Sequence, residues 1–394
     1  MSTQSLLTPS IITKETLVIL QNNLVAAGKV NRQFENKFVK IGSTLTIRKP
    51  NRFQAVKGDA LVIQNIVEPA TSITINTNAQ VAFQFSAEEL TLTVEDFSER
   101  YLKPAAETIA NQIDYDVMTN YQNIYNEVGT PGTTPASFAA LAAVGQRMDT
   151  FAVPQSGRVL ILDEGAYWSM ATALIGYYVK SVSEPAFKGF LASIANFEIY
   201  MDQNVQAQTV GNWGGTPLVN GAGQTGSTLV TNGWTTSITG LLNVGDVFTI
   251  AGVYVVNPQN RQKKPVLQNF VVQATANSDS GGNSTISISP AIVTSGAYQN
   301  VTAAPANLAA ITVFGSPNTT YTQSLAFVKD AIGLVSVPIE LPDGVDFKAR
   351  EMVKNVSMRV VRQYDINNNV TPCRLDSLYG TNTFYPELGC RLTS

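Results

Sequence analysis

Histidine is absent from this 394-residue chain, and its absence excludes much of the common catalytic chemistry. Without an imidazole there is no Ser-His-Asp or Cys-His nucleophile, no imidazole general base and no His-ligated metal. The α/β stretch over residues 135–211 contains neither a G-x-G-x-x-G nor a G-x-x-x-x-G-K-[ST] loop that could cradle phosphates. We therefore expect no enzymatic activity, no cofactor and no metal ion.

Charge is also scarce in this sequence. Charged residues make up 14% of the chain, against about 25% in typical soluble domains, while 44% of the residues are hydrophobic. So few charges indicate either an extracellular protein or a surface that partners largely cover. The net charge of −3 gives no sign of the basic face that tight phosphate binding needs, so we expect contact with nucleic acid to be weak and non-specific.

Cysteine is limited to Cys373 and Cys390, too few for a disulfide framework or a thiolate zinc site. The two can pair if their strands are neighbours; the alternative is two small buried thiols in a reducing compartment. The first residues, MSTQSLLTPSIITKE, lack the basic and apolar regions of a secretory signal. No apolar run reaches about 18 residues, so we expect no membrane-spanning helix and no membrane partner.

The longest helical pattern lies over Pro104–Val128. Its apolar residues recur at steps of three or four: Leu102, Ala105, Ala106, Ile109, Ile113, Val117, Tyr121, Ile124 and Val128. Pro104 suits a first helical turn, and Gly129 follows the last apolar residue. The opposite face suits water or a neighbouring subunit, and it carries Glu107, Asn111, Gln112, Asp114 and Asn120. The pattern predicts one long helix.

Residues 41–85 predict a strand-rich flap. Three stretches alternate between apolar and polar residues, namely Thr44–Arg48, Thr71–Asn76 and Gln80–Phe85, and a basic stretch, RKPNRFQAVKGDA, follows the first. A lone two-stranded ribbon is marginally stable in water, so we expect the flap to pack on a neighbouring molecule. Four basic residues would meet carboxylates there: Arg48, Lys49, Arg52 and Lys57. The alternative is a solvated rim.

An α/β pattern follows the long helix. It predicts a helix over Ala136–Phe151, a buried strand over Gly157–Leu162, a helix over Glu164–Leu174, a helix over Ala186–Ala195 and a strand over Phe197–Met201. Asp163 stands where it can cap the helix over Glu164–Leu174. The pattern resumes at Ala326, and the tail predicts two strands around a turn at Asp365–Asn369.

Between these α/β stretches the composition changes sharply. From Asn212 to Asn318 the charged residues are Asp246, Arg261, Lys263, Lys264 and Asp279, and short alternating runs are separated by turn signals. We interpret this stretch as an inserted small β barrel of about six strands. Trp213 and Trp234 suit its core or edge better than a sugar-binding platform.

The segment Asn257–Pro265 predicts an exposed loop of this insert. Its basic residues, Arg261, Lys263 and Lys264, would contact the insert of another subunit. The alternative is a solvated hairpin loop without a partner.

Three stretches resemble the major capsid proteins of tailed bacteriophages, in particular the short-tailed-phage coat group that carries an inserted β domain. They are the tail, with Cys373–Gly380 and Pro386–Leu392, the segment Leu325–Ala331, and the insert's opening Val244–Val253. The resemblance implies an α+β chain with the tailed-phage major capsid protein fold, shared with the herpesvirus capsid floor, and an inserted small antiparallel β-barrel domain.

The resemblance also implies a division of the chain into regions. These are an N-terminal arm (1–40), an extended loop (41–85), a peripheral domain with the spine helix (86–134 and 350–394), an axial domain (135–211 and 319–349) and the inserted β-barrel domain (212–318).

The function implied is that of a major capsid protein that self-assembles, as hexamers and pentamers, into the icosahedral shell around double-stranded DNA. The implied partners are a scaffolding protein during assembly, a portal protein at one vertex, the DNA by weak contact and, in some relatives, decoration proteins. The implied localisation is the virion, after assembly in the host bacterial cytoplasm. The alternative, suggested by the Asn/Thr/Gly-rich middle, is a β-rich virion or secreted binding or adhesion protein.

Overall fold

A computed structural model describes residues 24–34, 44–53, 55, 57–59, 61, 63–64, 66–86, 103–174, 190–345, 347–353, 356–368 and 370–394. The chain divides into two compact units. The first comprises Met1–Ile47, Thr71–Val117 and Ile332–Asn382, and the second comprises Arg48–Ala70, Met118–Ala331 and Thr383–Ser394. Most of the arm predicted over residues 1–40 lies outside the described residues.

The first unit is built on a sheet of five strands. Its strands are β3 (Thr77–Ser86), β16 (Ile332–Val337), β17 (Phe347–Val353), β18 (Val356–Arg362) and β19 (Val370–Thr383). The order is β16-β19-β18-β17, and β3 also pairs with β19. The two predicted tail strands are confirmed, with the turn between them closed by Asp365, whose side chain accepts from Asn367 N and Asn368 Nδ2.

The predicted flap strands exist, but they do not all pair with each other. β1 (Thr44–Arg48) and β2 (Ala70–Thr74) form a two-stranded ribbon. β3 instead pairs along its whole length with β19. The free part of the flap is therefore shorter than residues 41–85, because backbone pairing takes its last strand into the five-stranded sheet.

The predicted long helix ends early. Helix α1 covers Lys103–Met118 and starts with Pro104 in its first turn, as predicted. A 3-10 helix over Thr119–Asn123 follows, and Ile124 is extended, with φ −89° and ψ 115°. The prediction of helix as far as Val128 is wrong because β4 (Glu127–Gly129) pairs in parallel with the last strand, β20 (Gly389–Thr393). Tyr121 and Ile124 are still buried, which is why the apolar spacing continues past the helix end.

Two polar residues predicted for the helix's outer face are buried. Asp114 accepts hydrogen bonds from the backbone N–H groups of Val25 and Ala27, both at 2.7 Å. Asn120, just past the helix, accepts from the hydroxyl of Thr383 at 3.3 Å. These partners lie 87 to 263 residues away in sequence, so helical periodicity alone could not reveal them.

The second unit contains a mixed sheet of seven strands. Besides β4 and β20 these are β5 (Arg158–Leu162), β6 (Phe190–Ile194), β7 (Phe197–Met201), β8 (Ala207–Thr209) and β15 (Thr320–Val328). The order is β4-β20-β15-β5-β7-β6, with β8 on β15. Helices α2 (Phe138–Thr150) and α3 (Glu164–Leu174) pack against this sheet. Cross-strand pairing, such as that of β15 with β20, joins segments that lie far apart in the chain.

Most α/β predictions are confirmed, and one is wrong. The carboxylate of Asp163 accepts from the N–H of Ala166 at 3.2 Å, which is the predicted cap of α3. The predicted helix over Ala186–Ala195 is a strand over Phe190–Ile194, antiparallel to β7; residues 186–189 lie outside the described residues. The tight turn at Ala195 and Asn196, both with positive φ, joins the two strands as a hairpin.

The rest of the second unit includes a nearly closed antiparallel barrel. Its strands are β9 (Gly215–Val219), β10 (Gly226–Trp234), β11 (Val247–Val256), β12 (Lys263–Val272), β13 (Ser284–Ile292) and β14 (Ile311–Val313). The order β14-β11-β12-β13-β10-β9 closes through a bridge between Leu218 and Ala310. The six-strand barrel was predicted, although the sequence pattern split β11 into two strands and missed β9 and β10.

Both tryptophans of the barrel have packing roles. Trp234 lies in the barrel's core and donates its indole N–H to the hydroxyl of Thr231 at 2.7 Å. Trp213 is partly buried against the same core. The run GAGQTG at residues 221–226 joins β9 to β10. Because no helix follows it, its glycines serve a hairpin loop and not a dinucleotide site.

The two cysteines are free and buried, one in each unit. Burial raises the pKa of the Cys373 thiol to about 11 and that of Cys390 to about 12. Because the thiolate is the reactive species, neither should react with iodoacetamide at pH 8 until its unit opens. Labelling in increasing urea, resolved by peptide mass, should report the two units separately. Native-state labelling at the rate of a free cysteine would contradict this.

Candidate assembly surfaces

We call residues 48–52 and 68–69, where the flap leaves the two-stranded ribbon, the flap root. Contacts within the chain hold it. Arg48 pairs with Glu68 at 3.2 Å across the ribbon end, with both side chains exposed. The N–H of Lys49 donates to the carbonyl of Pro69 at 2.8 Å. Exposed pairs of this kind contribute about 0–1 kcal/mol, so Arg48 and Glu68 set the register of the ribbon more than its strength.

Past the ribbon, Arg52 reaches two distant segments of the second unit. Its guanidinium pairs with Glu387 at 2.7 Å. Its N–H is shared between Oδ1 of Asn51 at 3.1 Å and the hydroxyl of Tyr298 at 3.3 Å. That hydroxyl also lies 2.7 Å from the carbonyl of Val67 and 2.9 Å from Oδ1 of Asn51, either of which can accept its proton. The insert and the C-terminal segment therefore both touch the flap root.

Lys49 adds a cation–π contact at the same place. Its Nζ lies 4.9 Å from the ring centroid of Tyr385. Burial lowers the pKa of Lys49, while the negative charge of Glu387 opposes that shift. Of the four predicted contact residues of the flap, three thus have partners in their own chain, and Lys57 is exposed.

The outer part of the flap carries a row of exposed apolar side chains: Phe53, Leu61, Ile63, Ile66 and Val67. Leu61 is 87% exposed. A soluble monomer rarely exposes so many large apolar groups in one short stretch. The row indicates a surface that a partner covers. The contact prediction from the sequence named only the basic residues of this stretch and did not include these apolar side chains.

The predicted basic loop of the insert is only partly free. Arg261 is buried, contrary to the prediction, and its guanidinium donates to the carbonyls of Pro258 and Ala297. Lys263 and Lys264 begin β12 and so lie on a strand; the Nζ of Lys263 sits 3.8 Å from the ring centroid of Tyr254. Arg261 therefore positions neighbouring loops of its own chain.

A buried polar network joins the barrel to the seven-stranded sheet. Asp246 accepts from the N–H of Gly211 at 2.9 Å, the N–H of Asn243 at 2.8 Å and Nε2 of Gln208 at 2.8 Å. Arg391, fully buried on β20, donates to the carbonyls of Ile124 and Gly245, both at 2.8 Å. The scarcity of charge in this stretch was the available signal for Asp246, since a buried charge needs partners.

The network gives a pH-dependent prediction. Burial raises the pKa of Asp246 above 3.8, although its three donors and Arg391 oppose the shift. The folded chain then binds that proton more tightly than the unfolded chain, so this contribution to stability is lost as pH rises through the folded-state pKa. Asp246→Asn should therefore gain stability relative to the parent as pH rises above 3.8. Urea unfolding followed across pH measures the difference.

Asp279 in the same barrel offers a control of opposite sign. Hydrogen bonds from Asn283 hold its pKa below 3.8, so its contribution is present at higher pH and lost as pH falls. Asp279→Asn should lose stability relative to the parent as pH rises. Equal slopes for the two variants would contradict both assignments.

Within the described residues, no cluster of three or more His, Cys, Asp or Glu side chains could hold a metal ion. In the same part of the chain, no helix combines the length and apolar character needed to cross a membrane.

Comparisons with known proteins identify the family. The family model described as "P22 coat protein - gene protein 5" matches residues 1–394. No curated protein sequence matches the chain significantly.

Among solved structures, one from Mycobacterium phage Che8 is 11% identical with a TM-score of 0.49, covering 94% of this chain and 90% of that one. The capsid of Ralstonia phage GP4 is 8% identical with a TM-score of 0.46, covering 92% and 86%. The CUS-3 coat protein I-domain is 28% identical with a TM-score of 0.20, covering 26% of this chain and 98% of that one.

The family match extends over the whole chain, and it confirms the predicted family and fold class; the mixed helices and sheets and the nearly closed barrel agree with that fold class. The adhesin alternative has no such support. The chain therefore belongs to the P22 coat protein family, and it is a major capsid protein of a tailed phage.

Proposed function

We propose that copies of this chain tile as hexamers and pentamers into a closed icosahedral shell, with a structural and not a catalytic role. The match of the coat-protein family over residues 1–394 carries the proposal. We further propose the finer partners: a scaffolding protein during assembly, a portal at one vertex, and double-stranded DNA inside. Assembly would take place in the host cytoplasm before the protein resides in the virion.

The regions keep the roles proposed from the sequence. Residues 1–40 are the arm, 41–85 the extended loop, and 212–318 the inserted domain. The peripheral domain comprises 86–134 and 350–394, and the axial domain comprises 135–211 and 319–349. The nearly closed barrel formed by β9–β14 supports the proposal for the insert.

The flap is proposed to lie on a neighbouring subunit. Its exposed apolar row supports this, because covering those side chains would release water from apolar surface. Arg48, Lys49, Arg52 and Lys57 would then contribute to the register of the contact. In the insert, Lys263 and Lys264 remain candidates for a contact with another insert, while Arg261 would act by holding their loop.

A wall that encloses DNA must also release it. Binding strong enough to neutralise many phosphates would oppose packaging and ejection. The net charge of −3 supports a passive wall that touches DNA weakly and without sequence preference.

Negative-stain microscopy of the purified chain, with and without a co-expressed scaffolding candidate, tests the proposal. Closed polyhedral shells or capsomers are expected. A chain that stays monomeric at every concentration, with or without the helper, would refute it.

A further inference from the structure

The contacts at the flap root are polar and partly exposed, unlike those of a buried core, and we call them a joint. Tyr298 and Glu387 lie 246 and 335 residues from Arg52 in sequence, yet both meet it at hydrogen-bond distance. The ion pair is partly exposed, with side-chain exposures of 42% for Arg52 and 23% for Glu387. A polar, solvent-accessible joint can open without exposing a buried core.

A cleft adjoins this joint. Arg52, Tyr298 and Glu387 line a cleft of about 240 Å³ together with Tyr125, Phe151 and Pro258. Side chains that line a cleft lack close dispersion contacts with protein atoms on that side. The flap root is thus held mainly by its few polar and aromatic contacts.

Tyr298 lies on a loop that side-chain hydrogen bonds fix in place. The side chain of Asn300 accepts from the N–H of Val293 at 2.9 Å and donates to the carbonyl of Ala291 at 2.7 Å. The buried guanidinium of Arg261 donates to the carbonyl of Ala297, next to Tyr298. The movable partner in this joint is therefore the flap root and not the insert's loop.

We propose that Arg52, Tyr298 and Glu387 form a latch that sets the position of the flap within the unassembled subunit. The inference rests on the proposed function, since it assigns the flap's orientation before contact with a neighbour to a reversible device. Closed, the latch ties the flap root to the insert and to the C-terminal segment. Open, it frees the flap root from both.

The latch can be tested in the unassembled full-length chain by hydrogen exchange of the peptide covering residues 49–53. Arg52→Glu and Glu387→Arg each bring two like charges together. Each should therefore speed exchange of the backbone amide of residue 52 by about tenfold. The double variant, with the charges swapped, should return within about threefold of the parent. Arg48→Glu, which removes the neighbouring exposed pair with Glu68, should leave that amide unchanged.

Folding is checked in each variant by the protection of Cys390 from iodoacetamide, so a collapsed variant is recognised. Single variants that exchange like the parent would overturn the latch, as would a double variant as fast as the singles. An effect seen only in assembled shells would also overturn it, because the pair would then form between subunits. Shell formation is scored separately by microscopy, so failure of the proposed function is distinguishable from failure of the latch.

Discussion

Replacing Asp376 with alanine is expected to lower the free energy of unfolding of the first unit by about 3–5 kcal/mol, the cost of breaking a buried ion pair. Asp376 is fully buried on β19. Its Oδ2 accepts from Nη2 of Arg359 at 2.5 Å, and its Oδ1 accepts from Nε of Arg374. Without the carboxylate, the largely buried Arg359 guanidinium loses its counter-charge inside the five-stranded sheet.

The measurement is urea unfolding of the unassembled chain, with exposure of Cys373 on the same strand as the unit-specific signal. Asp376→Asn keeps the volume and one acceptor, so it should fall between the parent and the alanine variant. Asp343→Ala is the matched control, because Asp343 pairs with Lys348 at 3.2 Å while fully exposed. Its unfolding free energy should stay close to that of the parent, since solvent screens an exposed pair. Equal costs for Asp343→Ala and Asp376→Ala would refute the assignment.

Replacing Arg391 with methionine is expected to destabilise the second unit by a similar amount, about 3–5 kcal/mol. The side chain is fully buried, and its loss leaves the carbonyls of Ile124 and Gly245 without their donor. It also removes a cation on which the charges of Asp246 and Glu127 act. Exposure of Cys390 in urea reports the loss directly.

Arg391→Lys should give an intermediate result, because one ammonium cannot reproduce the fork that reaches two carbonyls. Arg48→Met removes a guanidinium that is mostly exposed and should change stability by no more than about 1 kcal/mol. A methionine variant as stable as the parent would show that packing, and not the buried donor, joins the barrel to the sheet.

The sequence predicted those parts of the fold that depend on neighbouring residues. The start of α1 at Pro104, the capping of α3 by Asp163 and the turn at Asp365 all involve contacts within a few positions. The barrel was predictable for the same reason, since alternation and turn signals mark strands locally. β9 and β10 were missed because glycine and polar residues weaken their alternation.

The candidate surfaces were predicted less completely. The flap and its basic residues were identified, but Glu387, Tyr298 and Tyr385 were not recognised as their partners within the chain. Arg261 was placed on an exposed loop, whereas its guanidinium is buried against two carbonyls. Charge alone does not distinguish a contact between subunits from a contact between distant segments of one chain.

The sequence by itself determined what chemistry this chain lacks, which family it resembles and where most local elements begin. The absence of histidine and the low charge need no structure to interpret. Only the tertiary structure decided where α1 ends, which carboxylate meets which arginine, and what holds the flap root. Those outcomes depend on contacts between residues that are not neighbours in sequence, from a separation of 17 for Arg359 and Asp376 to 335 for Arg52 and Glu387. Local propensity carries no information about such partners.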